Sequence, residues 1–110
     1  DNIGTLVFDE IDVGISGRAA QAVAEKMALI SRRHQVISIT HLPQIAAMAD
    51  SHYLIEKSAD AGKTVTRIVR LSEAESVAEI ARLLGGATIT DAVMSNALEM
   101  KQMAEKTKKY

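Results

Sequence analysis

Two adjacent carboxylates, Asp9 and Glu10, are the residues whose types and placement best fit chemistry. They directly follow a short apolar run, residues 5–8, whose β-branched and aromatic members predict a strand buried on both faces. Ligands of open α/β sheets bind beyond the carboxyl ends of the strands. Because successive strand residues alternate faces, one carboxylate can hold a metal while the other orients a water molecule. Asp9 suits Mg²⁺, which prefers hard oxygen ligands, and Glu10, with its longer reach, suits the water.

For hydrolytic phosphoryl transfer, a protein must supply a metal that neutralises charge, an oriented water molecule and hydrogen-bond donors to the terminal phosphate. Paired acids after a strand also occur in an ordinary loop that begins the next helix. Asp9 and Glu10 alone do not distinguish such a loop from a functional site. The same two acids could also form the acidic pocket of a self-contained, Mg²⁺-dependent phosphotransfer or receiver-like domain, with Lys57 as its cation.

The elements that must position these acids form a β-α-β unit. After the first strand, a helix is predicted to start at Ser16 or Gly17, and residues 35–40 read as a second buried strand. A parallel pair with a right-handed crossover is the default for such a unit. The second strand then delivers His41 to the same sheet edge as Asp9. The helix carries one apolar stripe, formed by Ala20, Val23, Ala24, Met27 and Ile30.

The remaining sequence predicts a short helix opened by Pro43, a third strand at 52–56, a turn at 60–63 and a hairpin partner at 64–71. A capping box at Ser72 begins a helix that ends at Gly85 and Gly86. A cap formed by Thr88 with Asp91 precedes a last helix, and residues 101–110 are expected to fray. The predicted fold class is α/β: a mostly parallel sheet with flanking helices, a β-hairpin and two C-terminal helices.

Composition limits the function classes. The chain has 110 residues, enough for one small domain, with 47% hydrophobic residues and a net charge of −1. This charge gives no electrostatic argument for binding nucleic acid or a membrane. No cysteine means no disulfide framework, and no apolar run is long enough to cross a bilayer. His34 and His52 read as surface residues. Because the chain starts at Asp1, directly ahead of a strand, we expect it to be a piece of a longer protein.

Two strings carry a family resemblance: FDEIDVGISG at residues 8–17 and THLPQIA at residues 40–46. The first resembles the Walker B segment and D-loop of SMC-type ATP-binding-cassette ATPases, and within that group it is most similar to the RecN family of bacterial DNA repair proteins. The resemblance implies that residues 1–110 form the C-terminal part of a P-loop ATPase head. A Gly-x-x-x-x-Gly-Lys-Ser/Thr phosphate loop and a Leu-Ser-Gly-Gly signature are absent from this sequence.

The resemblance assigns roles at an ATP site. Asp9 would bind the Mg²⁺ of Mg-ATP, through a water molecule, and Glu10 would be a catalytic residue that polarises the attacking water. His41 matches the H-loop histidine, which would reach the γ-phosphate as a second catalytic residue. The D-loop would contact a second head, and it maps to Asp12, Val13, Gly14, Ile15 and Ser16. Ser16 replaces the usual D-loop aspartate, and it can also act simply as a helix N-cap.

The resemblance further implies a role in double-strand-break repair and recombination, in a bacterial cytoplasmic, nucleoid-associated protein. ATP and Mg²⁺ would be its cofactors in the intact protein. Its partners would be the rest of its own ATPase head, a second head in a homodimer across ATP, and DNA contacted through other parts of the parent, with no membrane involved. Lacking the phosphate loop, the chain alone is expected not to hydrolyse ATP.

A non-catalytic interaction module is the remaining alternative. Its partner would bind an apolar stripe on the last helix, formed by Val93, Ala97, Leu98 and Met100, although such a stripe also fits packing on the domain itself. The basic residues Lys106, Lys108 and Lys109 are typical of a solvated terminus rather than a DNA contact.

Overall fold

The computed structural model describes residues 4–9 and 16–108. In chain order its elements are β1 (Thr5–Asp9), α1 (Gly17–Ile30), β2 (Gln35–Ile39), α2 (Pro43–Met48), β3 (Tyr53–Asp60), β4 (Lys63–Arg70), α3 (Glu73–Gly85) and α4 (Asp91–Lys108). The predicted α/β class is confirmed, together with the β-α-β unit, the hairpin and the two C-terminal helices.

The strands of the described residues form two separate two-stranded sheets. β1 and β2 are parallel, with a register that runs from Thr5 opposite Gln35 to Asp9 opposite Ile39. β3 and β4 are antiparallel and joined by Ala61 and Gly62. Both turn residues have positive φ, 49° and 79°. This backbone matches the right-handed twist of a hairpin, and glycine adopts it without steric cost.

Side-chain caps fix the starts of α1 and α3. The Ser16 hydroxyl accepts a hydrogen bond from the Ala19 N–H at 3.2 Å, so Ser16 is the N-cap of α1. At α3, Ser72 and Glu75 bond reciprocally, with distances of 2.8 and 3.2 Å. The capping box predicted at Ser72 is confirmed. These bonds satisfy backbone N–H groups that have no partner inside the helix.

The last helix differs from the prediction at both ends. Its cap is Thr90 rather than Thr88, because the Thr90 hydroxyl accepts from the Val93 N–H at 3.2 Å. The helix also continues to Lys108 instead of fraying after Lys101. The reason is tertiary packing: Lys101 and Ala104 are buried.

The hydrophobic core lies between the helices. α1 and α4 each contribute an apolar stripe, α2 is buried along nearly its whole length, and α3 inserts Ile80 and Ala81, which are fully buried. Phe8 of β1 and Val36 of β2 pack against this core. The core is rich in small side chains, which lets helices approach closely; its buried alanines are Ala20, Ala24, Ala28, Ala46, Ala47, Ala81, Ala97 and Ala104.

The prediction that the first strand is buried on both faces is wrong for the described residues. One face of the β1–β2 sheet packs on the helices through Phe8 and Val36. The opposite face is open, with Val7 62% exposed and Ile37 44% exposed. An apolar strand reads as doubly buried from sequence, but in the described part of the chain no element covers this second face.

Candidate active site

The ends of β1 and β2 place two predicted site residues at one edge of the sheet. Asp9 is the last residue of β1 and pairs with Ile39, the last residue of β2. Because the strands are parallel, both chains leave the sheet at this edge, and His41 follows two residues later. We call Asp9, Thr40 and His41 the carboxyl edge. Both Asp9 and His41 are exposed there.

The donor chemistry at Asp9 fits Mg²⁺. Mg²⁺ keeps several of its waters and is usually bound by one or two carboxylates together with substrate phosphates. A single exposed carboxylate at a strand end satisfies this requirement without a dedicated cage. Within the described ranges, no group of three His, Cys, Asp or Glu side chains is placed to hold a metal ion.

The backbone around His41 is fixed on both sides. The Leu42 N–H donates to the Thr40 hydroxyl at 3.0 Å, closing a short side-chain turn over His41. Pro43 then starts α2 and is buried, and its ring pre-sets the φ angle of the first helical residue. The chain therefore presents the imidazole outward from a constrained segment.

The other predicted residues fall mostly outside the described ranges. Glu10 and the D-loop residues Asp12, Val13, Gly14 and Ile15 lie in residues 10–15, which the structure does not describe. Ser16 is described, and its predicted role as N-cap is confirmed. Its contact with a second head stays a prediction.

The first turns of α1 and α2 meet at a glycine, a feature that sequence reasoning missed. A Cβ built on Gly17 would lie 3.2 Å from Nε2 of Gln44. The Oε1 of Gln44 is buried and has no hydrogen-bond partner in the described part of the chain. The available signal was Gly17 itself, because glycine is a poor helix former and its place in a first turn needs a reason.

A second polar cluster lies away from the carboxyl edge. His52 is half-buried and its Nδ1 lies 2.7 Å from the hydroxyl of Ser76, which is buried on α3. The interpretation of His52 as a surface residue is therefore wrong. Burial lowers the pKa of His52; nearby Glu79 acts to raise it and nearby Lys101 to lower it further.

Lys101 of α4 is only 5% exposed, and its Nζ lies 3.3 Å from a Glu73 carboxylate oxygen. Sequence reasoning placed Lys101 in a fraying tail. A stripe drawn through Ala97 and Ala104 at helical spacing passes through position 101, and this was the missed signal.

The remaining alternatives find little support in the structure. Val93, Ala97 and Met100 pack on the domain's own core, while Leu98 is 48% exposed and does not belong to the stripe. The helix is therefore used internally rather than held open for a partner. Lys57, the cation of a receiver-like pocket, lies on β3, in the other sheet from Asp9.

Comparison with known proteins finds relatives that match most of this chain. No protein-family model matches the chain. It is 47% identical over 107 residues to the DNA repair protein RecN of Bacillus subtilis, covering 97% of this chain and 19% of that protein. RecN of Haemophilus influenzae is 47% identical over 98 residues, and RecN of Mycobacterium leprae 43% over 104. The chain matches the C-terminal part of RecN.

A solved structure supports the same placement. It comes from work on ATP-driven dimerization and DNA-stimulated activation of SMC ATPases. Its sequence is 25% identical to this chain, the TM-score is 0.60, and the match covers 76% of this chain and 50% of the other. The fold is that of an α/β C-terminal segment of an SMC-like ATPase head. The chain spans about a fifth of the length of the RecN proteins it matches. None of the described helices is long and apolar enough to span a membrane.

Proposed function

We propose that residues 1–110 supply one part of an ATP-hydrolysis site in a RecN-like protein of double-strand-break repair and recombination. The observation that carries the proposal is the parallel register of β1 and β2. This register brings Asp9 and the segment of His41 to one sheet edge, where ligands of α/β sheets bind. The match to RecN supports ATP as the nucleotide and DNA repair as the process.

Each residue has a role that its chemistry supports. Asp9 would hold Mg²⁺ through a water molecule, and the bound metal would neutralise phosphate charge. Glu10 would orient the attacking water and accept its proton. The constrained His41 would donate a hydrogen bond to the γ-phosphate. D-loop residues 12–16 would contact a second head across the nucleotide.

The open face of the β1–β2 sheet is the argument for the rest of the ATPase head as a partner of this segment. Val7, Ile37 and Ile39 expose 62, 44 and 41% of their surface on this face. A contiguous apolar face of this kind marks an interaction surface. Because the sequence has no phosphate loop of its own, the parent must supply it, and packing of that part on β1–β2 would bring it to the carboxyl edge.

The wider assignments belong to the intact parent. ATP would be sandwiched in a homodimer of heads. DNA would be engaged through other parts of the molecule, since the net charge of −1 gives no electrostatic argument for DNA binding by this segment. For the parent we propose a location in the bacterial cytoplasm, in association with the nucleoid, from its similarity to RecN proteins.

Glu10→Gln in the full-length parent tests the proposal. The amide keeps the shape of the side chain but is not a base, so ATP binding should persist while turnover falls by about 10²–10⁴-fold. Glu25→Gln is the matched control, because Glu25 lies on α1 and bonds only Gln21 among the contacts seen. Unchanged turnover in Glu10→Gln would remove Glu10 from catalysis.

Calorimetric titration of Mg-ATP into the 110-residue chain, with a phosphate-release assay, separates this proposal from a self-contained phosphotransfer domain. We expect neither binding nor release. Binding with turnover by the isolated chain would overturn the divided site.

A further inference from the structure

We propose that the outer edge of β4 is a docking site for an extended, acidic protein segment, which adds to the β3–β4 hairpin as a third strand. This surface has no part in the roles described above and does not require ATP hydrolysis. Three features of β4 point to such a partner: backbone groups that face away from β3, basic side chains without acidic ones, and exposure at seven of its eight residues.

The hydrogen-bond pattern of the hairpin shows which backbone groups face outward. In an antiparallel pair, directly opposite residues alternate between bonded and non-bonded pairs. The N–H of Leu71 donates to the carbonyl of His52 at 2.9 Å, and this pair continues the register in which Tyr53 lies opposite Arg70. Every second pair from there is bonded. The backbone groups that point away from β3 are therefore those of Thr64, Thr66, Ile68 and Arg70.

An extended peptide matches the spacing of these outward groups. They recur at every second strand residue, about 7 Å apart, and they include both N–H donors and C=O acceptors. A peptide strand can bond both kinds in turn, which is the basis of strand addition to a sheet edge. Phosphate oxygens only accept hydrogen bonds, and β4 has no aromatic side chain on which a base could stack. The edge therefore fits a peptide better than a nucleic acid.

The side chains of β4 favour an acidic partner. The strand carries Lys63, Arg67 and Arg70 and no acidic residue. Arg70 donates to the hydroxyl of Ser51 at 3.5 Å. The ion pairs of the described residues involve neither Lys63 nor Arg67. The carboxylates of an incoming strand would thus meet cations that hold no carboxylate already.

The other edge of the hairpin does not select one sign of charge. β3 carries Glu56 and Asp60 together with Lys57, so a partner there would meet both signs. Glu56 lies opposite Arg67, and Asp60 lies opposite Lys63. These two acids reduce the positive charge of the hairpin without cancelling it, because the two strands together carry four basic and two acidic side chains.

A second copy of β4 is a poor occupant of this edge. Pairing the strand with itself would bring the cations of two copies together, and like charges on neighbouring strands destabilise a sheet. Basic residues on an edge strand are a common device against such self-pairing. An acidic strand gains from the same charges, and as a third strand it would also stabilise a hairpin that is marginal with two.

Fluorescence anisotropy with the full-length parent tests this docking site. The probe is a labelled peptide of alternating glutamate and valine, as long as β4, and we expect it to bind. The same peptide with every backbone nitrogen methylated keeps the charge but cannot donate, so it should bind at least about tenfold more weakly. An oligothymidylate of equal charge should not displace the acidic peptide.

Variants of the parent locate the bound peptide. Thr66→Pro removes an N–H that faces outward and leaves the bonds between β3 and β4 in place, and Lys63→Gln combined with Arg67→Gln removes two cations. Each change should weaken peptide binding by about tenfold. Ala59→Pro and Lys57→Gln are the matched changes on the other edge, and each should alter binding by less than about twofold.

Thermal unfolding of each full-length variant separates a lost contact from a lost fold. If Thr66→Pro unfolds the parent, the charge variants and the methylated peptide still decide the question. The docking site is overturned if the acidic peptide does not bind, if the methylated peptide binds equally well, or if Lys57→Gln weakens binding as much as the β4 changes.

Two further outcomes would assign the edge to another occupant. Displacement of the peptide by oligothymidylate, with the same sensitivity to the β4 variants, would make the edge a nucleic-acid surface and overturn the acidic segment. Self-association of the parent that Thr66→Pro abolishes in sedimentation velocity would assign the edge to a second copy, with the same consequence.

Discussion

Ile80 on α3 and Ile68 on β4 are the same side chain in two environments: the first has no exposed surface, and the second is 69% exposed. The contrast extends to their surroundings. The helices bury an alanine-rich core among themselves, whereas β1–β2 leaves one face open and the β3–β4 hairpin makes few contacts outside itself.

The buried contacts that stabilise the fold lie among the helices, whereas the residue proposed to bind metal lies on the open sheet. The helices pack against one another through side chains of this chain. The sheet that carries Asp9 leaves an apolar face in water, as a surface does when its contacts are made by another part of a protein.

Ile80→Ala should have the largest effect. Removing this buried side chain leaves a cavity, and we expect the free energy of unfolding to fall by about 3 kcal/mol. Ile68→Ala is the matched change on the hairpin and should cost less than about 1 kcal/mol. Urea denaturation of both variants measures the two values. Equal losses would show that the hairpin is as tightly packed as the helices.

Glu73→Gln should have the next largest effect, because it removes the charge that faces the buried ammonium of Lys101. Since Glu73 itself is largely exposed, we expect a loss of about 1–2 kcal/mol, below the cost of breaking a fully buried pair. Lys101→Met, which removes the buried charge and keeps an unbranched stem, should change stability by less than about 1 kcal/mol. If Lys101→Met costs more than Glu73→Gln, the ion pair is a net stabilising contact.

The His52–Ser76 contact should make stability depend on pH. Burial lowers the pKa of folded His52 below its ordinary value of 6.5, against the opposing influence of Glu79. The folded state therefore favours neutral imidazole, and this contribution is complete above pH 6.5 and is lost as pH falls toward the lower pKa of the folded state.

The measurement is the free energy of unfolding between pH 8 and pH 5, about the range in which histidine titrates. His52→Gln should flatten the acid side of this profile. His34→Gln is the control, a histidine substitution at an exposed position. A profile that keeps its slope in His52→Gln would assign the dependence to another group.

Val7→Thr combined with Ile37→Thr should have the smallest effect on stability. Both positions keep a β-branched residue on an already exposed face, so the free energy of unfolding should change by less than about 0.5 kcal/mol. Self-association, measured by sedimentation velocity, should decrease, because the open apolar face is what copies of the chain would share. A stability loss near that of Ile80→Ala would mean that the face is already covered.

Local patterns predicted the elements well. Strong signals fixed the α1 stripe, the capping box at Ser72, the turn before Lys63 and the glycine stop at Gly86, because each depends on residues close in sequence. The placement of Asp9 and His41 at one edge was also predictable, since parallel pairing follows from the β-α-β order.

Features that depend on distant partners were not predictable in the same way. His52 reads as a surface residue until α3 places Ser76 against it. The tail after Lys101 reads as polar until α2 and α3 bury one side of it. The apolar composition of the first strand predicts burial on both faces. Among the described residues, however, only one of its faces is covered.

The two sheets also differ in how soon they can form. The β3–β4 turn joins Asp60 to Lys63 across two residues, Ala61 and Gly62, and hairpins of this kind close in about 1–10 μs. Pairing of β1 with β2 joins Thr5 to Gln35 and must enclose the whole of α1. The entropy cost of closing this longer loop must be overcome before the stabilising contacts between the two strands form. We expect the pairing that brings Asp9 to its edge to be a late step in folding, completed after the hairpin and the helices have formed.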